Sequence, residues 1–214
     1  MIYKLLFLLF TAIKTVTTRT EVVGRHNVPS GACLVVANHV NLLDSPILGI
    51  SLGRKVRFMA KEELFYNKIV GFFTRQFGGF PVGKGRLDRR AGKIALEVLA
   101  QGEAIVVFPE GKRSYQNQLT LALNGSALIA YHNKAPILPV GITGTEKIRG
   151  LGWILHRPEI TLNIGRPFTL PDAGTALSRE VLLGLTNVLM NKIAELLPPK
   201  YRGSYEGVKP KWPL

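Results

Sequence analysis

The segment CLVVANHVNLLDSP, Cys33 to Pro46, contains the pattern that decides the fold. Its first five residues form a short apolar run, which is typical of a buried strand. Its last three residues, Asp44-Ser45-Pro46, combine N-cap residue types with a proline suited to a first helical turn. The segment therefore predicts a buried strand, a short polar loop and a helix that begins near Asp44.

The same alternation of strand and helix continues along the chain. Strands are predicted at Glu21–Gly24, Cys33–Ala37, Val56–Met59, Ile105–Phe108, Ile137–Ile142 and Glu159–Ile164. Apolar residues at helical spacing predict helices over residues 86–102, 124–134 and 178–199. This order indicates an α/β fold: a single domain, residues 20–205, with a central mixed, largely parallel sheet flanked by helices. Residues 206–214 form a basic tail that we expect to be irregular.

The composition is both basic and apolar. Lys and Arg total 28 against 14 acidic residues, the formal net charge is +14, and 46% of the residues are hydrophobic. An excess of positive charge favours polyanionic partners. The apolar content favours an anionic membrane surface over nucleic acid, because nucleic-acid binders are usually basic and polar. We expect a peripheral or monotopic protein at the cytoplasmic face of a membrane, with no nucleic acid as partner.

Residues 1–19 contain an apolar stretch from Leu5 to Ile13. As a helix this stretch would be about 14 Å long, half of a ~30 Å hydrocarbon core, so it is too short to cross a bilayer. One interpretation is a helix that lies in the membrane interface, with Lys4, Lys14 and Arg19 at the headgroups. The alternative is a helix that packs on the protein's own core.

His39 and Asp44 lie in the predicted loop and at the predicted helix start. On one continuous helix five residues would separate them by about 140°, but across a loop the two side chains can meet. A carboxylate-bound histidine can act as a general base toward an alcohol. Because the chain has no Gly-x-Ser-x-Gly motif, that alcohol would belong to a substrate. The alternative is an ordinary loop in which Asp44 caps the helix.

Two further polar stretches accompany this pair. GGFPVGKGR, residues 78–86, places Lys84 and Arg86 among glycines before a helix, which suits a phosphate group or, equally, a flexible basic turn. PEGKRS, residues 109–114, follows a predicted strand and displays Glu110 at a sharp turn before two cations. Its carboxylate would orient a substrate hydroxyl or form a plain ion pair.

Together these motifs resemble the glycerolipid acyltransferase family. NHVNLLD matches that family's His-x4-Asp motif, FPEGKRS is close to its Phe-Pro-Glu-Gly-Thr-Arg-Ser block, and GGFPVGK and APILPVGI are similar to its second and fourth blocks. The resemblance covers residues 20–205 and is strongest to members that acylate 1-acyl-glycerol 3-phosphate. One departure is Lys84, where the family usually has an arginine, because lysine lacks the bidentate fork.

The resemblance implies an enzyme of phospholipid biosynthesis that transfers a fatty acyl group from acyl-CoA or acyl-carrier protein to the 2-hydroxyl of 1-acyl-glycerol 3-phosphate, giving phosphatidate. It implies His39 and Asp44 as the general-base pair. The substrate-binding residues that it implies are Lys84, Arg86, Glu110, Gly111 and Arg113. We expect no metal and no cofactor besides the acyl donor as co-substrate.

Other functions stay open from the sequence. The acceptor would instead be another lysophospholipid, a lyso-aminolipid or glycerol 3-phosphate. A thioesterase would use the same histidine with water. A protein of a different class would be a non-catalytic basic binder of membranes or nucleic acid, with no dependence on His39.

Overall fold

The structure is a computed structural model that describes residues 2–83, 89–150, 152–171 and 177–208. Its strands are β1 Arg19–Val23, β2 Cys33–Ala37, β3 Val56–Lys61, β4 Gly79–Val82, β5 Ala104–Val107, β6 Ile137–Thr143 and β7 Glu159–Ile164. Its α-helices are α1 Ile2–Thr17, α2 Asp44–Ser51, α3 Lys68–Gln76, α4 Arg89–Ala100, α5 Gly125–Asn133, α6 Trp153–His156, α7 Arg179–Glu195 and α8 Pro199–Arg202. The described strands and helices form an α/β fold, as the sequence predicts.

Seven strands form one sheet in the order β1-β7-β6-β2-β5-β3-β4. Every neighbouring pair is parallel except β6 and β7, which are antiparallel. β2 is central, and all five of its residues are buried, which explains why its sequence is a continuous apolar run. The carboxyl ends of β2, β5 and β3 therefore lie side by side, and the polar loops that follow them are brought together.

Two apolar clusters cover the two faces of the sheet. One face packs against α4, α5 and α7, through residues such as Leu99, Ile129 and Leu189. The other face packs against α2, through Ile47 and Leu48, and against Trp153 of α6. Residues of β2 contribute alternately to the two clusters, since successive side chains of a strand point to opposite faces.

The predicted strands agree with the structure to within two residues at each end, and β2 and β7 agree at both ends. Among the described residues, four elements were not predicted: β4, α3 and the one-turn helices α6 and α8. β4 is a short edge strand in the glycine-rich stretch, where Pro81 is tolerated because an edge needs fewer backbone donors. α3 begins after Asn67, whose side chain accepts the amide N–H groups of Ile69 and Val70 and so caps the helix.

The N-terminal helix α1 packs on the protein with one face and leaves another face exposed, and its contact with a membrane interface stays a prediction. One face packs on the protein: Phe10 contacts the rings of Phe73 and Phe77 of α3 at centroid distances of 5.9 and 4.7 Å. The opposite face leaves large apolar side chains exposed, and Leu8, for example, is 66% exposed. The exposed apolar residues of α1 are Leu5, Leu8, Leu9, Ile13 and Val16. Within the described residues, no helix has the length and apolar character to span a membrane.

Lys14 does not lie where the interfacial prediction placed it. Its ammonium is 3.5 Å from the Ser51 hydroxyl, on the side of α1 that faces α2. Burial, with a smaller contribution from the charge of Arg25, lowers the pKa of Lys14. The helix packs the Lys14 side against the domain, contrary to the interfacial prediction, whereas the Arg19 side chain is exposed and its place at the headgroups stays a prediction.

Candidate active site

The candidate site lies at the carboxyl ends of β2 and β5. These strands pair in parallel, Cys33 with Ala104 through Val36 with Val107, so the loops that leave them start side by side. The loop after β2 carries His39, and the loop after β5 carries Glu110 and Arg113. In α/β sheets, ligand sites form at such strand ends.

His39 and Asp44 meet across the loop. Their Nδ1 and Oδ2 atoms are 2.8 Å apart, and Asp44 is fully buried while the histidine side chain is 15% exposed. The same Oδ2 atom also accepts the backbone N–H groups of Val40 and Asn41, at 2.7 and 2.8 Å. These bonds hold the imidazole with Nδ1 as donor, so Nε2 is the nitrogen that is left to accept a proton.

The structure corrects one detail of the Asp44 prediction. Asp44 is the first residue of α2, as predicted, but its side chain does not cap the helix, and the N-cap residue Leu43 makes no side-chain capping bond either. All three hydrogen bonds run from the preceding loop to Oδ2, and Oδ1 is buried without a hydrogen-bond partner among the described residues. Asp44 therefore organises the His39 loop and not the helix terminus.

The backbone of His39 is held by the loop that follows β5. Its N–H group donates to Glu110 Oε1 at 3.1 Å, and its carbonyl accepts the N–H group of Ser114 at 2.7 Å. The imidazole ring also stacks on Phe108, with centroids 4.1 Å apart and 17° between the planes. The histidine is thus fixed through its backbone, its ring face and its Nδ1 atom.

Glu110 is occupied by contacts within the protein. Besides the His39 N–H group, its carboxylate accepts the N–H and hydroxyl groups of Thr120 at 2.9 and 2.8 Å, and the residue is buried. Burial raises the pKa of Glu110, against the hydrogen bonds from Thr120 and His39, which lower it. Both carboxylate oxygens have partners, so this arrangement favours positioning of His39 over the contact with glycerol that the resemblance implied.

A largely apolar cavity of about 470 Å³ opens beside His39. Its apolar lining includes Phe10 from α1, Phe58 and Met59 from β3, and Phe73 and Phe77 from α3 and its C-terminus. Three cations, Lys61, Lys112 and Arg113, line the same cavity. The cavity therefore combines an apolar volume with positive charge, and His39 lines the same cavity.

Two of the predicted substrate-binding residues reach this cavity. Arg113 and Gly111 both line it, and Gly111 has φ of 66°, a conformation that favours glycine at this turn. Lys84 and Arg86 lie outside the described residues.

The sequence reasoning missed Lys61, which ends β3 beside the neighbouring strand ends. A cation at the end of a predicted strand would have pointed to Lys61. Because β3 was predicted to end at Met59, two residues earlier, Lys61 was not considered. It also missed α3, whose amphipathic pattern is short and follows no strand directly. Among the described residues, no group of three or more His, Cys, Asp or Glu side chains is arranged to hold a metal ion.

A buried carboxylate thus holds a histidine at the wall of an apolar cavity, at the carboxyl ends of parallel strands. A family model described as Acyltransferase matches residues 19–143, and the chain belongs to this family. The chain is accordingly an enzyme, an O-acyltransferase, as the resemblance implied.

Several similar proteins are described as 1-acyl-sn-glycerol-3-phosphate acyltransferases. The 1-acyl-sn-glycerol-3-phosphate acyltransferase of Bacillus subtilis (strain 168) is 30% identical over 178 residues, which cover 82% of this chain and 87% of that protein. The enzyme of the same description from Streptococcus pneumoniae is 35% identical over 116 residues, or 54% of this chain and 41% of that one. The crystal structure of the 1-acyl-sn-glycerophosphate acyltransferase PlsC from Thermotoga maritima superposes with a TM-score of 0.64 at 28% identity, covering 87% of this chain and 75% of that chain.

Proposed function

We propose that this acyltransferase transfers a fatty acyl group from an acyl thioester to the 2-hydroxyl of 1-acyl-glycerol 3-phosphate, forming phosphatidate. The observation that carries the proposal is the His39–Asp44 pair, at 2.8 Å, in the wall of an apolar cavity that also holds three cations. The activities for which the bacterial relatives are named support the same acceptor.

In the proposed mechanism, His39 Nε2 takes the proton from the 2-hydroxyl as the oxygen attacks the thioester carbonyl. The tetrahedral intermediate then expels the thiolate, which recovers the proton from the imidazolium. Asp44 stabilises the imidazolium and keeps Nδ1 as the donor, and general-base catalysis of this kind contributes about 10²- to 10⁴-fold in rate. Glu110 and Ser114 act on the same step by fixing the His39 backbone.

The cavity has apolar side chains for the fatty acyl chain and cations for the acceptor phosphate. Burial of a methylene group contributes about 0.8 kcal/mol, so a fatty acyl chain gains affinity from the side chains of Phe10, Met59 and Phe73. The acceptor phosphate would bind the cations Lys61, Lys112 and Arg113, because charge-assisted hydrogen bonds to phosphate are strong. Lys84 and Arg86 remain candidates for the same phosphate from the sequence resemblance.

The acceptor is a membrane lipid, and we propose that the enzyme works at the cytoplasmic membrane surface. The exposed apolar face of α1 adjoins α3, where Tyr66, Ile69 and Phe72 are also exposed. Since Phe10 and Phe73 from these two helices line the cavity, a bilayer in contact with α1 and α3 would lie next to the cavity's apolar wall. A lysolipid would then reach His39 without crossing much water.

One experiment tests the acceptor, the donor and the reaction class together. The purified protein is incubated with lysophosphatidate, other lysophospholipids, lyso-aminolipids or glycerol 3-phosphate, each with labelled acyl-CoA or acyl-carrier protein, and products are identified by mass. We expect phosphatidate from lysophosphatidate with at least one donor. Release of free fatty acid that does not depend on added lysolipid would show a thioesterase, and a product only with another acceptor would reassign the substrate.

A further inference from the structure

A second cleft lies apart from the active site, at the start of β1 and beside residues 147–150 and 152–159. It has a volume of about 470 Å³ and shares no lining residue with the apolar cavity. Its ionisable lining side chains are Arg19, Lys147, Arg149, His156, Arg157 and Glu159. The cleft therefore carries four permanent cations, one histidine and a single carboxylate.

The positive charge of this cleft is largely uncompensated. Glu159 lies 3.8 Å from Arg19, but both side chains are more than two-thirds exposed, so the pair is weak and screened. Among the described residues, no carboxylate lies within ion-pair distance of Lys147, Arg149 or Arg157. These cations are available to an anionic ligand.

Exposed apolar residues border the cleft. In α6, Leu155 is 86% exposed and Ile154 is 42% exposed, while Trp153 of the same helix lines the cleft. The helix α6 contacts α1, and the guanidinium of Arg157 donates to the carbonyl of Thr15 at 3.0 Å, beside the exposed Val16. The apolar surface of α1 thus continues past the cleft onto α6.

We propose that this cleft binds the phosphate headgroup of an anionic phospholipid in the bilayer on which the enzyme rests. Cations at headgroup level beside apolar side chains that enter the acyl region are the arrangement of interfacial membrane segments. An acidic protein partner would explain the charge but not the exposed leucine and isoleucine of α6. The lipid is therefore the occupant that both features favour.

The cleft is also joined to the active site. Lys147 and Arg149 flank Ile148, whose carbonyl accepts the side-chain N–H of Asn41, in the loop between His39 and Asp44, at 3.0 Å. A lipid held by the two cations would fix this segment relative to the bilayer. Headgroup binding would accordingly set the orientation of the His39 loop toward the membrane as well as add affinity.

Trp153 provides a local probe of occupancy. The chain has two tryptophans, Trp153 and Trp212, so the Trp212→Phe variant reports on the cleft alone. Its emission is titrated with vesicles of phosphatidylcholine alone and of phosphatidylcholine mixed with phosphatidylglycerol. We expect a blue shift that saturates at lower lipid concentration with the anionic vesicles.

The second experiment compares the loss of two cations from the cleft with the loss of two cations from elsewhere on the surface. In the same background, Lys147→Gln/Arg149→Gln should weaken partitioning to anionic vesicles about 25-fold, since each cation near an anionic surface contributes about fivefold. The control Lys93→Gln/Lys192→Gln removes two exposed cations from α4 and α7, on the other face of the sheet, and should change partitioning about twofold or less. Arg149→Lys keeps the charge and should retain binding.

Several outcomes would overturn the proposal. Equal losses in the cleft and control variants, with unchanged thermal unfolding, would show non-specific attraction by net charge. No loss in the cleft variant would remove the site. If inorganic phosphate or glycerol 3-phosphate shifted Trp153 emission as strongly as anionic vesicles, the cleft would be a site for small anions, and a response only to acidic acyl-carrier protein would make it a donor-protein site.

Discussion

A single oxygen atom of Asp44 organises the loop that carries His39. Oδ2 accepts three N–H groups, from the His39 ring and from the backbones of Val40 and Asn41, while the residue is fully buried. A carboxylate is the side chain best suited to this, because it accepts several hydrogen bonds and offers no competing donor. The His-x4-Asp spacing therefore closes this loop, through the three hydrogen bonds to Oδ2.

The first prediction at the residue scale concerns Asp44→Asn. The amide keeps the shape, but it loses the negative charge that stabilises the imidazolium, so kcat should fall about 10²- to 10⁴-fold. Stability should fall by about 1–3 kcal/mol, because one amide face presents N–H donors to a buried site. Steady-state kinetics measures kcat, and thermal unfolding measures the stability. Glu97→Gln, which removes one carboxylate from an exposed position of α4, is the charge-matched control. Full activity in Asp44→Asn would remove the carboxylate from the mechanism.

A second prediction concerns the cations of the cavity. Lys61→Gln and Arg113→Gln should each raise the KM for lysophosphatidate about 10- to 100-fold, as expected for the loss of a charge-assisted hydrogen bond. The KM for the acyl donor should change little. Lys192→Gln, outside the cavity, serves as control. A selective effect on the donor would assign these cations to the thioester carrier instead of the acceptor phosphate.

At the scale of the elements, the strand–loop–helix unit around His39 was predictable because each part has a local cause. The apolar run of β2 results from burial on both faces, and Asp44-Ser45-Pro46 marks the start of α2. β4 and α3 were missed, since β4 is four residues long with an internal proline, and the start of α3 depends on one asparagine cap. The engagement of Glu110 by Thr120, ten residues later, required the folded loop.

The link between the two loops leads to a prediction for Glu110→Gln. An amide cannot accept N–H groups at both positions, so the variant should be less stable by about 1–3 kcal/mol and have a lower kcat, because His39 loses its backbone support.

The difference in stability between the wild-type protein and Glu110→Gln should change with pH in a definite direction. The folded-state pKa of Glu110 is raised above its ordinary value of 4.5 by burial, so the folded protein binds the proton more tightly than the unfolded chain. The stability that Glu110 contributes is therefore fully present below pH 4.5 and decreases as the pH rises through the folded-state pKa. Chemical denaturation at several pH values should show the wild-type advantage over Glu110→Gln decreasing as pH rises. An advantage that grows with pH would contradict the burial effect.

The helix α1 gives a prediction that separates membrane contact from packing. Deletion of residues 1–18 should release the protein from vesicles, but it would also remove Phe10 from the cavity wall. Leu5→Glu/Leu8→Glu alters the exposed face only and should weaken vesicle partitioning at least tenfold, since burial of each leucine contributes about 1.5–3 kcal/mol.

Leu183→Glu on α7 is the matched control, because Leu183 is also exposed, and it should leave partitioning unchanged. Full vesicle binding by the α1 double variant would refute an interfacial role for this face.

At the scale of the whole molecule, basic and exposed apolar side chains lie together around the apolar cavity and the cationic cleft. The helices α1, α2 and α6 lie together, with α3 against α1, and they border both the apolar cavity and the cationic cleft. The composition alone predicted a membrane-facing protein. It could not predict the cleft, because Arg19 comes beside Glu159 through the pairing of β1 with β7 and the helix α6 packs against α1 in the folded chain.

The resemblance to known acyltransferases accounts for much of the site that could be predicted. It implied His39, Asp44, Gly111 and Arg113; the structure places His39, Gly111 and Arg113 in the lining of one cavity, with Asp44 buried behind His39. Geometry then separated the roles of neighbouring residues: Glu110 faces inward to Thr120 and the His39 backbone, and Lys61 joins the cavity from β3. Such distinctions depend on side-chain direction, which residue spacing does not specify.

The most direct test of the account is the turnover of His39→Ala with lysophosphatidate and the acyl donor that the wild-type enzyme uses, with phosphatidate quantified by mass. The account predicts a loss of about 10²-fold or more in kcat, with thermal unfolding nearly unchanged, because the imidazole supplies the general base. Phosphatidate formation by a folded His39→Ala variant at a rate close to wild type would contradict it.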